Sequence, residues 1–230
     1  VNVPISTKEV LQNIIQDLEK AKEWVKPFDT DAAYPGYACY VGTEVGTRIK
    51  LDAGVISTGE SEDEFFRYRA NRLSYYPITA LLARVCLYAG DNSKAFLYAN
   101  EIVTLINNKE VNYTFITPGF ITSEPRLHSE ILFGTYNSSL TDWTKLYFEG
   151  EVSDRILQLN DLAGIFGANA QDLRMKLVFG NVVTKFSTEV ANAEAAKSLV
   201  PVLRFPECYY IAAEARFDEN KKEAIEIFNQ

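Results

Sequence analysis

Ser74-Tyr75-Tyr76-Pro77-Ile78-Thr79-Ala80-Leu81-Leu82-Ala83-Arg84-Val85-Cys86-Leu87-Tyr88-Ala89-Gly90-Asp91-Asn92 is the most informative stretch of the chain. Ile78, Leu81, Leu82, Val85, Cys86 and Ala89 recur at three- and four-residue steps, the period of one helix face. Pro77 falls in the first turn, where a missing N–H costs nothing. Gly90-Asp91-Asn92 is a turn, and a second stripe follows in Ala95, Tyr98, Ala99, Ile102, Val103 and Ile106. Ala80, Ala83, Ala95 and Ala99 are small enough to let two helices approach closely. The short connection makes them antiparallel neighbours, so 74–107 reads as an αα-hairpin with tetratricopeptide-like spacing.

A second hairpin is expected at 205–229. Phe205, Cys208, Tyr209, Ala212 and Ala213 form its first stripe, and Ala224, Ile225 and Phe228 begin the second. Pro206 takes the place of Pro77. At the other end, Ser6 and Glu9 fit a capping box. Leu11, Ile14, Ile15, Leu18 and Val25 continue a helix that Pro27 is expected to stop. Residues 27–64 hold five glycines and lose the period, with Arg48–Leu51 a candidate strand and Ser61–Glu64 a solvated helix start. The insertion 108–204 is mixed. Short strands or extended segments are expected at Tyr113–Ile116, Glu130–Tyr136 and Asn181–Phe186, short helices at Ser153–Phe166 and Ala170–Leu177, and an irregular segment at 134–150. The fold class is mainly α: tetratricopeptide-like helical hairpins with irregular loop and short-strand insertions, in a single domain over 1–230. Both ends read as cut from a longer polypeptide.

Composition removes several function classes. The 23 basic and 31 acidic residues give a formal charge of −8, the wrong sign for nucleic acid or for an anionic membrane surface. No apolar run reaches the length of a membrane span. The single histidine, His128, precludes a two-histidine metal site within the chain. Its surroundings read as a polar loop. Cys39, Cys86 and Cys208 form no paired motif, and the last two read as small buried hydrophobes. Phosphate-binding glycine loops and nucleophile elbows are absent, so no metal, cofactor or catalytic residue is assigned. Glu207 and Glu214, beside Arg204 and Arg216, read as helix-face charge pairing, and Asp172 with Arg174 as a local pair.

The remaining signal is aromatic, with 14 Phe, 13 Tyr and 2 Trp. Tyr34, Tyr37, Tyr40, Tyr136, Trp143 and Tyr147 lie in loop-like sequence. A ring there either plugs a loop onto the core or offers a face to the apolar side of a sugar. Trp143 is the first candidate ligand residue, because 137–145 shows no apolar period to bury it. Tyr37, between Gly36 and Ala38, is the second; Tyr34 and Tyr136 follow. Asp142, Thr144 and Lys145 are the expected hydrogen-bonding partners of a ligand's hydroxyls.

Ala80–Asp91, with Ala95 and Ala99, resembles the ALLARVYLYxGD signature of the SusD/RagB family. Val202–Ala215 is similar to the family's LR…E…AEA helix. The order agrees along the chain: the Ser6–Ala21 helix, the hairpin, Ser129-Glu130-Ile131-Leu132-Phe133, Asp172-Leu173-Arg174 before Lys185-Phe186, then the final helix. The resemblance implies a cell-surface lipoprotein of the outer membrane. Such a protein is not an enzyme and binds oligosaccharide. It passes the glycan to a SusC-like TonB-dependent transporter, and it meets the membrane only through a lipid anchor that this chain does not carry. Two other functions stay open. An apolar groove between helices would suit a scaffold for a peptide or protein, and two carboxylates about 5–10 Å apart in a cleft would suit a glycoside hydrolase.

Overall fold

The computed structural model describes residues 5–34, 40, 72–122, 126–148, 158–167, 172–185 and 199–230. Cys39, Tyr37, Arg48–Leu51 and Ser61–Glu64 lie outside these residues.

The expected capping box opens helix α1 (Thr7–Thr30): the Ser6 hydroxyl accepts the Glu9 N–H while the Glu9 carboxylate takes the Ser6 N–H at 2.8 Å. Ile15 is buried, and Leu18, Ala21 and Val25 pack on the core. Pro27 does not stop this helix. One further turn survives because tertiary contacts replace what proline removes. Asp29 is fully buried, its carboxylate accepts the Tyr75 N–H at 2.9 Å, and its carbonyl accepts the Tyr76 hydroxyl at 3.4 Å. Tyr75 is the first residue of α2 (Tyr75–Tyr88), so a carboxylate sits at that helix's positive end.

Helices α2 and α3 (Asn92–Asn107) form the expected hairpin. Ile78, Leu82, Ala83 and Cys86 of the first are buried together with Ala95, Ala99, Ile102 and Val103 of the second. The connection turns on Gly90 at φ +78°. The Asp91 N–H reaches the Cys86 carbonyl and the Gly90 N–H that of Leu87, which satisfies carbonyls the helix end would otherwise leave open. Asp91 then caps α3 by accepting the Lys94 N–H at 3.0 Å.

Strand β1 (Ile131–Tyr136) leads into α4 (Leu140–Phe148), followed by the short α5 (Leu162–Phe166) and the two-residue strands β2 (Val178–Phe179) and β3 (Val182–Val183). Strand β4 (Leu199–Arg204) pairs antiparallel with β1, matching Ile131 to Arg204 and Tyr136 to Leu199. Helices α6 (Pro206–Arg216) and α7 (Lys221–Phe228) close the chain. The helices stack in sequence: α1 on α2, α2 on α3, α3 on α6 and α6 on α7.

Several expectations change. Val202–Arg204 read as helix but are strand, because β1 takes their backbone and Pro206, with no N–H to give, starts the helix at its first position. Residues 158–160 are not helical; Gln158 bridges to Val182 instead. Residues 173–177 form a 3-10 helix. Tyr113–Ile116 joins no ladder, although the Thr114 N–H reaches the Ser129 carbonyl at 3.3 Å. In α7 the buried residues are Ala224 and Ile227, while Ile225 and Phe228 turn outward.

Candidate functional site

Strand β1 sets the position of the site. Gly134 lies so close to β4 that a Cβ there would fall 2.7 Å from Leu199 Cδ1, so the two strands meet without a side chain between them. Tyr136 ends the strand with 71% of its surface exposed. The Asn137 side chain then accepts the Ser139 N–H at 3.0 Å, its carbonyl accepts the Leu140 N–H, and α4 begins. Within the segment expected to be irregular, Leu140–Phe148 is therefore helical. Leu140, Thr144, Tyr147 and Phe148 carry the period that marks it, at steps of four, three and one.

Trp143 is 56% exposed. Its ring stacks on Tyr147, one turn along α4, with centroids 5.7 Å apart and planes inclined by 19°. Thr144 faces inward, and its hydroxyl donates to the Leu140 carbonyl at 2.8 Å. It is thus removed from the expected set of ligand partners, because its proton is already committed to the helix. Asp142 is exposed and Lys145 half-buried, but Lys145, two residues from each ring, falls on the opposite side of α4 from the pair.

Tyr34 belongs to a different aromatic pair. It meets Phe28 edge to face, with centroids 5.1 Å apart and an interplanar angle of 65°. Tyr40 is a packing residue: it is fully buried, donates to Ser74 Oγ at 2.7 Å and lies 4.8 Å from the Tyr76 ring. Tyr147 was visible in the sequence as a loop aromatic; its pairing with Trp143 would have been legible from their four-residue spacing had the helix been recognised.

The acidic groups are engaged elsewhere. Glu207 is not paired along its own helix. Arg84 of α2 forks onto it with two hydrogen bonds of 2.5 Å, and this bidentate contact raises the already high arginine pKa. Arg204 instead faces Glu130 at 3.7 Å, and Arg216 pairs with Glu219 and Glu223 at 2.6 and 2.8 Å. Glu130 is buried behind β1 and takes the Ile116 N–H at 3.2 Å, yet burial still pushes its carboxyl above the ordinary range. The nearby Lys185 is pushed down, first by burial and then by Arg204. Asp172 and Arg174 form the expected local pair at 2.6 Å. His128 is buried in a 3-10 turn, and Cys86 and Cys208 are buried free thiols. Burial lifts the Cys86 thiol to about 11, which keeps it protonated and inert. Among the described residues, no three His, Cys, Asp or Glu side chains gather as a metal site, and no helix is long and apolar enough to cross a membrane.

No protein-family model matches the chain, and no curated protein matches it. Solved structures do. A SusD superfamily protein from Bacteroides thetaiotaomicron aligns over 69% of this chain and 41% of its own, with 21% identity and a TM-score of 0.52. A SusD-like carbohydrate-binding protein from Bacteroides vulgatus aligns over 96% and 42%, with 17% identity and a TM-score of 0.57. A second Bacteroides vulgatus protein aligns over 100% and 48%, with 18% identity and a TM-score of 0.60. The chain spans less than half the length of each of these proteins. Identities this low speak for the fold: the chain is folded as the SusD-like proteins are.

Proposed function

We propose that this chain is part of a cell-surface protein of the outer membrane that binds an oligosaccharide or polysaccharide and delivers it to a SusC-like TonB-dependent transporter, without hydrolysing it. The observation that carries the binding reading is the exposed Trp143 ring paired with Tyr147 on α4, within a SusD-like fold. Pyranose rings have apolar C–H faces that lie against aromatic faces, and hydroxyl rims that need polar partners. Delivery, membrane attachment through a lipid anchor and absence of catalysis rest on the fold likeness and on the motif order in the sequence. Tyr34 and Tyr136 remain candidate contacts at the edge of this reading, as does Tyr37.

Affinity electrophoresis against neutral plant, host and microbial polysaccharides tests the binding step. At least one glycan should retard the chain, and Trp143→Ala should weaken that retardation by about 1–3 kcal/mol, on the scale of base–aromatic stacking. Unchanged retardation in the variant would remove Trp143 from the site. Release of reducing sugar that one Asp or Glu substitution abolishes would replace binding by hydrolysis.

A second reading has its own observation. Tyr210, Phe217, Ile225 and Phe228 line an open apolar cavity of about 560 Å³ on the outer side of α6 and α7. A peptide's apolar side chains would fit there, as in a helical-repeat scaffold. Under that reading Phe217→Ala, not Trp143→Ala, abolishes binding.

A further inference from the structure

We propose that Lys185 and Arg204 form an anion subsite, separate from the Trp143 ring, that takes the carboxylate of a sugar acid. That a sugar carries the carboxylate rests on the carbohydrate reading above; the demand for an anion does not. Arg204 ends β4 and lies opposite Ile131, at the far end of the ladder from Tyr136. At about 3.4 Å per residue, about 17 Å of strand separates the two ends. Side chains alternate along β4: Leu203 is buried, whereas Val202 and Arg204 turn to the open side, with 43% of Val202 and 40% of the Arg204 side chain exposed. Lys185 follows β3 and is half-buried, close enough to Arg204 and Glu130 for the three charges to act on one another.

These charges do not balance. Two cations face one carboxylate, and that carboxylate is already committed. One Glu130 oxygen takes the Ile116 N–H at 3.2 Å, and the other stands 3.7 Å from Arg204, beyond hydrogen-bonding distance. Among the described residues the Arg204 guanidinium has no hydrogen bond, and Lys185 has neither a hydrogen bond nor an ion pair. Half-buried donors without an acceptor cost free energy until something pairs with them. Burial and Arg204 together press Lys185 to give up its proton, and a bound anion offsets both. A carboxylate suits the gap, because its two oxygens can accept from the planar guanidinium and from the ammonium at once. The formal charge of −8 narrows the choice further. A dense polyanion is repelled by the protein as a whole, whereas a sugar bearing one carboxylate meets chiefly the two local cations.

NMR titration of the isotope-labelled chain tests this with glucuronate and galacturonate, with glucose and galactose as uncharged counterparts, and with acetate and triglutamate as carboxylates that carry no sugar. The sugar acids should bind about 10- to 100-fold tighter than the neutral sugars, the scale of hydrogen bonds to charged groups. That advantage should shrink as salt is raised. Lys185→Gln, which breaks no hydrogen bond or ion pair of the described fold, should remove most of it. Lys185→Arg should keep it, and so should Trp143→Ala. Sugar acids that bind no tighter than the neutral sugars, or an advantage that survives Lys185→Gln, overturn the subsite and leave the carbohydrate reading standing. Acetate or triglutamate bound as tightly as glucuronate overturns the sugar-acid assignment and the inference with it. No binding by any of these sugars, together with no polysaccharide that retards the chain, overturns both readings.

Discussion

Leu82 and Trp143 both sit on helices, and both are large apolar side chains, yet one is fully buried and the other more than half exposed. Leu82 lies in α2, which is covered by α1, α3 and α6, so nearly every side of that helix meets another. Trp143 lies in α4, a nine-residue helix set on the end of a two-stranded ladder. The stacked hairpins obtain their order from apolar burial over many turns. The inserted segment obtains its order from single devices: Gly134 against Leu199, the Asn137 turn, and Glu130 between the Ile116 N–H and Arg204. At the centre of the stack the rings of Tyr75, Tyr76 and Tyr209 are core, whereas the Trp143 ring of the inserted segment is left exposed.

The sharpest way to break this comparison is to truncate the core. Leu82→Ala removes buried methyl groups at the centre of the stack and should lower unfolding free energy by about 2–5 kcal/mol in urea titration. A loss below about 1 kcal/mol would mean that α2 is not packed on all sides. The Arg84–Glu207 fork ties the first hairpin to the second across 123 positions of sequence. Its side chains are about one-third exposed, so solvent screens it. A double-mutant cycle with Arg84→Ala and Glu207→Ala should return a coupling of about 1 kcal/mol. A coupling indistinguishable from zero would leave the two hairpins joined by apolar contact alone.

What the sequence revealed follows the same division. The stripes of 78–106 were legible because long helices repeat their pattern enough times to be unambiguous. Leu199–Arg204 was not, since its apolar run continues directly into a helix and periodicity cannot separate a short strand from a first turn. Pro27 misled because its cost is local whereas its compensation, Asp29 beneath Tyr75, comes from 46 residues away. The partner of Glu207 was missed for the same reason: Arg204 and Arg216 are near in sequence, but Arg84 is near in space. At the candidate site, Trp143 was legible by its polar neighbours, while its stacking on Tyr147 required α4 to be recognised first.

Glu130 offers a pH test confined to the inserted region. Its carboxyl titrates above the ordinary glutamate value in the folded chain, because burial disfavours the charge more than Ile116 and Arg204 favour it. The folded state therefore holds the proton more tightly than the unfolded state. Stability from this group is present in acid and is lost as pH rises from 4.5 through the folded value. Unfolding titrations over a pH series should show the wild type losing stability relative to Glu130→Gln through that window. A difference that is flat, or that grows in favour of the wild type, would show that Arg204 outweighs burial.

The smallest expected effect belongs to Trp143→Ala, and its smallness is what distinguishes the two regions. A ring that anchored a loop to the core would cost about 3–5 kcal/mol to remove. The Trp143 ring is 56% exposed and touches Tyr147 along its own helix, so its loss uncovers little buried surface. Alanine also favours the helix more than tryptophan does, by up to about 0.7 kcal/mol, which offsets part of the lost contact. The net change in unfolding free energy should lie within about 0.5 kcal/mol, as for surface substitutions generally. A measured loss above about 2 kcal/mol would place Trp143 among the packing residues with Tyr40. A negligible loss of stability together with weakened glycan binding separates the role of this ring from that of Leu82, whose truncation should cost stability without removing a ligand contact.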